Sequence, residues 1–245
     1  MLGMFYLYAK KMKKTEYQAF NALKTGAVKN YEIQQFIDML LPQHIQEILN
    51  QPSRVLGETY KDVTVLYADI CGFTAFSDGK SPKEVIKMVS ELFMEFDREC
   101  LKRQLHKLYT IGDCYVCLGF LDAKERKSPA KEAEDTLLFA AKMIEIIDIV
   151  RVKINFPGLG MRIGIHTGDI VGGIVGTEIV RFDIYGANVF CANSMESEGL
   201  PGRIKVSETT KKLLEQKTRF MFEYHNDVWV DSLRQNVPSY FATVF

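Results

Sequence analysis

The sequence predicts an α+β fold: a ferredoxin-like βαββαβ core behind an N-terminal helical linker. Three observations predict it. A β-branched apolar run, Val63 to Asp69, precedes a long amphipathic helix pattern. Two further strand-like runs meet across Gly112-Asp113, the mark of a two-residue hairpin. A second long helix pattern and another strand run then complete the order, which lays helices on one face of an antiparallel sheet.

The linker covers residues 1–52 and the main domain residues 53–245. In the linker, Ile33, Phe36, Ile37, Leu40 and Leu41 recur at helical spacing, and Pro42 punctuates the run. Ile45, Ile48 and Leu49 mark a shorter helix, and Gln51-Pro52-Ser53 is the break that sets the boundary. The apolar run from Met1 to Ala9 is too short to span a bilayer. It also lacks the n-region charge and cleavage site of a signal peptide. Lys10, Lys11, Lys13 and Lys14 follow it, as at the cytoplasmic end of a membrane helix. Two readings stay open: a piece or short paralogue of a protein tethered at the cytoplasmic face of a membrane, and an ordinary amphipathic start.

In the main domain, Val63 to Asp69 suits a buried strand, and Cys71-Gly-Phe-Thr74 reads as a turn. Ser81-Pro-Lys-Glu84 carries helix-start signals, with Val85, Val89, Leu92, Phe96 and Cys100 as the inward face. Leu105 to Ile111 and Cys114 to Phe120 form the first hairpin. Ala130 to Val150 is the second long helix, burying Ala133, Leu137, Ala140, Ile144 and Ile147. Met161 to His166 and Ile170 to Val175 read as a hairpin around Thr167-Gly168-Asp169. Ala187 to Glu198 reads as a helix, Ile204 to Val206 as a strand, and Ser207 to Gln216 as a serine-capped helix. Phe220 to Tyr224, Val228 to Val230 and Tyr240 to Val244 are closing strands.

Composition narrows the function. The 245 residues hold 31 Lys+Arg and 31 Asp+Glu, so the chain lacks the basic excess of a nucleic-acid binder. Cys71, Cys100, Cys114, Cys117 and Cys191 lie scattered in apolar stretches and read as thiols of a reducing compartment. Cys114 and Cys117 form a C-x-x-C, but residues three apart on a strand face opposite sides, which argues against metal or redox use.

Two aspartates stand out. Asp69 ends the first strand beside a glycine turn, and Asp113 sits at the tip of the first hairpin. In a βαββ sheet those elements are neighbours, so both carboxylates can meet at one sheet edge. They would repel unless a cation joined them, and hard oxygen ligands suit Mg²⁺. From spacing alone, a turn aspartate and a strand-end cap explain the pattern more simply.

Four stretches decide further. Val65-Leu-Tyr-Ala-Asp-Ile-Cys-Gly-Phe-Thr74, Thr110-Ile-Gly-Asp-Cys-Tyr115 and Met161-Arg-Ile-Gly-Ile-His-Thr-Gly168 resemble, in order, three signatures of the class III nucleotidyl cyclases. Phe182-Asp-Ile-Tyr-Gly186, running on to Ala192-Asn-Ser-Met-Glu-Ser197, resembles the fourth. Leu40-Leu-Pro42 with His44 resembles the linker before the catalytic domain. The resemblance implies that Asp69 and Asp113 hold two Mg²⁺ ions (or Mn²⁺), with the carbonyl of Ile70 completing one site. It implies that backbone groups of Gly72, Phe73 and Thr74 receive the β/γ-phosphates of ATP or GTP. Arg162 would neutralise phosphate charge, a task suited to a planar fork. Without the resemblance, Arg162 reads as an edge-strand surface arginine and Phe73 as core packing. The implied reaction is cyclisation to the 3′,5′-cyclic nucleotide with loss of pyrophosphate.

The resemblance also shows what is missing. In this family the site lies between two domains, one bringing the metal aspartates and the other an Asn, an Arg, a Lys and the base-selecting pair. Where the pattern has that Asn and Arg, this chain has Phe190 and Ser194; near the Lys position it has Ser232, with Arg234 close by. At the base-selecting positions it has Tyr109 and Asp183, of which Asp183 leans to adenine and Tyr109 matches neither base. The implied protein is the metal-bearing, C1-type half of a heterodimeric cyclase, needing a complementary domain. The alternative is a regulatory or dimerisation module that keeps the fold without turnover. His106 and His166 receive no role.

Overall fold

The computed structural model describes residues 57–120, 122–175 and 181–245, together with 26 and 28–31. The helical expectations for the linker therefore lie outside the described residues, apart from 26 and 28–31, which are helical. The first half of the domain runs β1 (Glu58–Cys71), α1 (Phe73–Asp78), α2 (Pro82–Lys102), β2 (His106–Ile111), β3 (Cys114–Leu118), α3 (Pro129–Lys153) and β4 (Gly160–Val175). The second half runs β5 (Arg181–Tyr185), α4 (Ala187–Ser197), β6 (Arg203–Ser207), α5 (Glu208–Leu214), β7 (Phe220–Val230) and β8 (Gln235–Val244).

The strands form one sheet in the order β2-β3-β1-β4-β6-β8-β7, with β5 paired to β4. Its first four strands have the ferredoxin-like order, β1 lying antiparallel between β3 and β4. Strong local signals build the helices. Ser81 and Glu84 close a capping box at the start of α2, with Pro82 at its first position. Ser128 caps α3 and Ser207 caps α5. Leu92, Phe96 and Cys100 of α2 and Ala133, Leu137, Ala140 and Ile147 of α3 are buried against Leu66, Ala68 and Ile70 of β1. Each large apolar side chain so buried contributes about 1.5–3 kcal/mol.

The core helices α2 and α3 cover one sheet face, as expected, and α5 joins them there; α4, which follows the βαββαβ core, adds a layer on the other face, over Val63 and Val65 of β1. Gly164 of β4 makes this approach possible: a Cβ there would lie 2.0 Å from the Glu196 nitrogen of α4. The two faces also separate the C-x-x-C pair, with Cys117 in the α2–α3 core and Cys114 only partly buried.

Four strand and turn assignments change. Thr167-Gly168-Asp169 is no turn: β4 runs unbroken beside β1, from Gly160 opposite Cys71 to Gly172 opposite Glu58. The irregularity lies across from it in β1, between Tyr60 and Val63, where Asp62 has φ 50° and its N–H donates to the Asp169 carboxylate at 3.0 Å. The partner that turns back along β4 is β5, which the sequence pattern did not mark as a strand. The turn expected over Cys71 to Thr74 is confined to Gly72 at φ 79°, which links β1 directly to α1, so that Phe73 and Thr74 are already helical. Residues 220–230 form one strand despite a register shift between Tyr224 and Asn226, and β8 begins at Gln235.

Candidate active site

β1 alternates its side chains between the two faces, so Asp69 follows Val65 and Tyr67 onto the α4 side. Across the strand pair it stands opposite Arg162 of β4. Arg162 Nη2 donates to Asp69 Oδ2 at 2.8 Å, and its Nε donates to Glu196 Oε1 of α4 at 2.9 Å. Arg162 thus sits on an interior strand, bracketed by two carboxylates, rather than on an edge. The Glu196 side chain is 7% exposed. Burial raises its pKa, and Arg162 opposes that rise. Burial also works against the Arg162 charge, yet the Glu196 carboxylate, with Asp69 adding to it, raises the arginine's pKa.

Asp113 follows Gly112 (φ 60°) in the tight β2–β3 turn. Burial and the negative charge of Asp69 push its carboxyl above the ordinary range, with Arg162 partly offsetting them. The structure therefore brings Asp69, Asp113, Arg162 and Glu196 together at the end of β1. Burial, with Asp69 adding to it, pushes the Cys114 thiol beside them up to about 12. Nothing in the local sequence pattern singles out Glu196. It lies 34 residues from Arg162, and no local period links the two.

Beyond Asp69, the buried Ile70 ends the core face of β1, and Gly72 opens α1. A side chain at Gly72 would collide with the Gly158 carbonyl oxygen at 2.3 Å, so the close turn requires glycine. Thr74 is exposed at the start of α1, while Phe73 is partly buried against the main core. The first-turn N–H groups of a helix have no partner within it.

Tyr109 and Asp183 also meet. The Tyr109 hydroxyl lies 3.5 Å from that of Tyr67, and the Arg181 guanidinium sits 5.3 Å above the Tyr109 ring. Arg181 pairs with one oxygen of Asp183, and the other accepts from the Ile184 N–H at 2.9 Å. Both carboxylate oxygens of Asp183 are thus engaged within the chain.

Phe190 points outward from α4 at 60% exposure, and Ser194 is half-buried one turn later. Ser232 and Arg234 lie in the β7–β8 turn, where Ser232 Oγ donates to the Ala187 carbonyl at the start of α4. Glu196 is near the other end of that helix, about 13.5 Å away at the α-helical rise. Ser232 is therefore held at the opposite end of α4 from Glu196, Arg162 and Asp69. His166 is buried, bonded to Ser207 Oγ at 2.8 Å and Asn188 Oδ1 at 3.0 Å, and His106 packs edge-on to Phe182.

Residues 55–243 match the model of the adenylate and guanylate cyclase catalytic domain. This chain belongs to that family. It is 40% identical over 200 residues to guanylate cyclase alpha of Plasmodium falciparum, covering 80% of this chain and 5% of that protein. It is 35% identical over 229 residues to guanylate cyclase soluble subunit alpha-1 of the dog, Canis lupus familiaris, covering 94% of this chain and 32% of that one. The chain thus spans a small part of the relatives it matches. Among solved structures, the guanylate cyclase domain of RhGC from Catenaria anguillulae, in complex with GTP, aligns with a TM-score of 0.65 at 26% identity. That alignment covers 76% of this chain and 98% of the other. The mixed α+β sheet is the cyclase fold.

Proposed function

We propose that the domain is the metal-bearing half of a purine nucleotide cyclase, acting on ATP or GTP in signal transduction with a complementary cyclase domain. The observation that carries this reading is the convergence of Asp69 and Asp113 beside Arg162 at the end of β1. The donor chemistry fits divalent cations. Asp69, Asp113 and Glu196 are hard anionic oxygens acted on by one guanidinium, and repulsion from Asp69 helps hold Asp113 above its ordinary pKa. Among the described residues no group of three or more His, Cys, Asp or Glu stands ready as a full ligand set. Two carboxylates and the Ile70 carbonyl leave the remaining positions to water and phosphate, as Mg²⁺ prefers.

In the proposed reaction the ribose 3′-oxygen attacks the α-phosphate, its proton leaves, and the bond to the departing pyrophosphate breaks. Two Mg²⁺ or Mn²⁺ ions held by Asp69, Asp113 and the Ile70 carbonyl would ease 3′-hydroxyl ionisation and stabilise phosphoryl charge. The chain's own work is placement. Backbone amides from Gly72 to Thr74 receive the β/γ-phosphates. Arg162, oriented through its Nε by Glu196, turns its remaining N–H groups toward phosphate oxygens. Asp69 and Asp113 supply no proton and act as charge.

The complementary donors come from the partner. Phe190 cannot donate a hydrogen bond and Ser194 carries no charge, and a missing preorganised donor costs about 3 kcal/mol or more. The relative named as a soluble subunit supports a subunit role, and the name guanylate cyclase on both relatives supports GTP. Asp183 is already engaged by Arg181 and Ile184, which supports leaving base choice to the partner. A regulatory module without turnover is the second reading, favoured by the Arg162–Asp69 pair, which occupies one metal-facing carboxylate. A membrane tether belongs to the linker; no helix among the described residues is long and apolar enough to cross a membrane.

The test is a cyclase assay of the purified chain, alone and mixed with a complementary domain, with Mg²⁺ or Mn²⁺ and either ATP or GTP. Product should form in the mixture, disappear with Asp69→Ala, and be negligible from the chain alone. Equal activity with and without the partner would sink the missing-half argument. No activity in any mixture would favour the regulatory module.

A further inference from the structure

Lys205 of β6 is wholly buried, an uncommon place for a lysine. Its neighbours across the sheet are Gly164 of β4 and Phe241 of β8. Ile204 and Val206 enter the α2–α3 core, so Lys205 projects to the α4 side. There its Nζ donates to the backbone carbonyl of Glu198, just past the last turn of α4, at 3.1 Å. The Glu198 carboxylate lies 3.8 Å from the same ammonium and also accepts from the Asn226 amide of β7 at 3.2 Å. Burial lowers the lysine's pKa, and Glu198 opposes that fall.

A buried ammonium costs stability that a methionine of similar length would not. What the charge gives in return is a donor aimed at the negative end of the α4 dipole. That end matters because Glu196 is in the same last turn, pressed directly on Gly164, the cross-strand neighbour of Lys205. Glu196 in turn holds Arg162 Nε, and Arg162 reaches Asp69.

We propose that Lys205 is a positioning residue: its ammonium pins the C-terminal end of α4 and thereby fixes the Glu196–Arg162–Asp69 chain of contacts. Its consequence for turnover rests on the cyclase reading given above, but the positioning itself does not. Lys205 touches no reacting atom. It acts through the helix end, so its loss loosens Arg162 while leaving the core intact.

The experiment measures three things on the full chain carrying Lys205→Met or Lys205→Gln. Thermal unfolding reads stability, and proton exchange of the Arg162 Nε–H by ¹⁵N NMR reads the ion pair. A partner-complemented cyclase assay reads turnover. Lys205→Met should melt at or above the wild-type temperature, yet its Arg162 Nε–H should exchange about tenfold faster, the worth of one lost hydrogen bond. Turnover should fall by a similar factor, and should fall no further when Lys205→Met is added to Glu196→Gln. Lys205→Gln keeps a neutral donor and should recover most of the protection. Arg162 Nε–H exchange equal to wild type in Lys205→Met, or an undiminished loss in the Glu196→Gln background, would overturn the proposal. Should Lys205→Met fail to fold, Lys205→Gln decides by the same resonance, with unchanged exchange counting against. If wild type forms no product with any partner, the cyclase reading fails, and the exchange measurement still judges Lys205.

Discussion

Arg162→Ala tests the centre of the candidate site through stability, before any turnover is measured. The substitution removes a guanidinium bonded to Asp69 at 2.8 Å and to Glu196 at 2.9 Å. Glu196, 7% exposed, is left as a buried carboxylate without its cation. Breaking a buried pair from one side costs about 3–5 kcal/mol. The Arg162 side chain is 34% exposed and that of Asp69 23%, so solvent screening trims the loss. A cost of about 2–3 kcal/mol follows. For a domain of this size that lowers the melting temperature by about 4–12 °C. The assay is thermal unfolding near pH 7 without divalent ions, repeated with Mn²⁺. Mn²⁺ should raise the melting temperature of Arg162→Ala more than that of wild type, because it replaces missing positive charge among the carboxylates. Adding Glu196→Gln to Arg162→Ala should recover part of the loss by removing the orphaned charge. A variant as stable as wild type, with the same response to Mn²⁺, would refute the bracketed arginine and the charge deficit together.

Three other outcomes are expected. Asp113→Asn should raise metal-free stability at neutral pH and reduce the stabilisation given by Mn²⁺. The native state holds the Asp113 proton more tightly than the unfolded chain, so this carboxyl destabilises increasingly as pH rises above its ordinary value of 3.8. The difference between variant and wild type should accordingly vanish below that pH, as melting curves across the acid range will show. Arg126→Ala should cost about 3–5 kcal/mol in urea unfolding, because it strands Glu132, whose side chain is 0% exposed, and frees the carbonyls of Lys61 and Asp62 at the β1 bulge. Phe190→Asn combined with Ser194→Arg should raise the cyclase activity of the chain without a partner at least about tenfold by restoring two donors; no gain would count against the division of labour between two halves.

Much of this molecule was legible in local pattern. The capping box at Ser81, the inward face of α2 and the tight turn at Gly112 each depend on residues a few positions apart, which a linear reading can weigh. That reading placed Asp69 and Asp113 at the ends of neighbouring elements, and four motifs in order pointed to the family. It failed where long-range pairing overrode local chemistry. Thr167-Gly168-Asp169 has turn composition, yet β1 pairs with β4 through that stretch, and the Thr64 and Thr167 hydroxyls meet at 3.0 Å. α4 gave no sign of which sheet face it would cover, because Gly164 makes room for it from a distant strand. The sequence by itself determined the βαββ elements with their capped helices and, through its motifs, singled out Asp69 and Asp113. Only the tertiary structure decided that Glu196 takes one side of Arg162, that Arg181 closes on Asp183 beside Tyr109, and that Lys205 is sealed beneath the end of α4. Periodicity reports the faces of one segment, whereas the meeting of charges depends on register between strands and the height of a helix above them, and both are set by packing across the whole sheet.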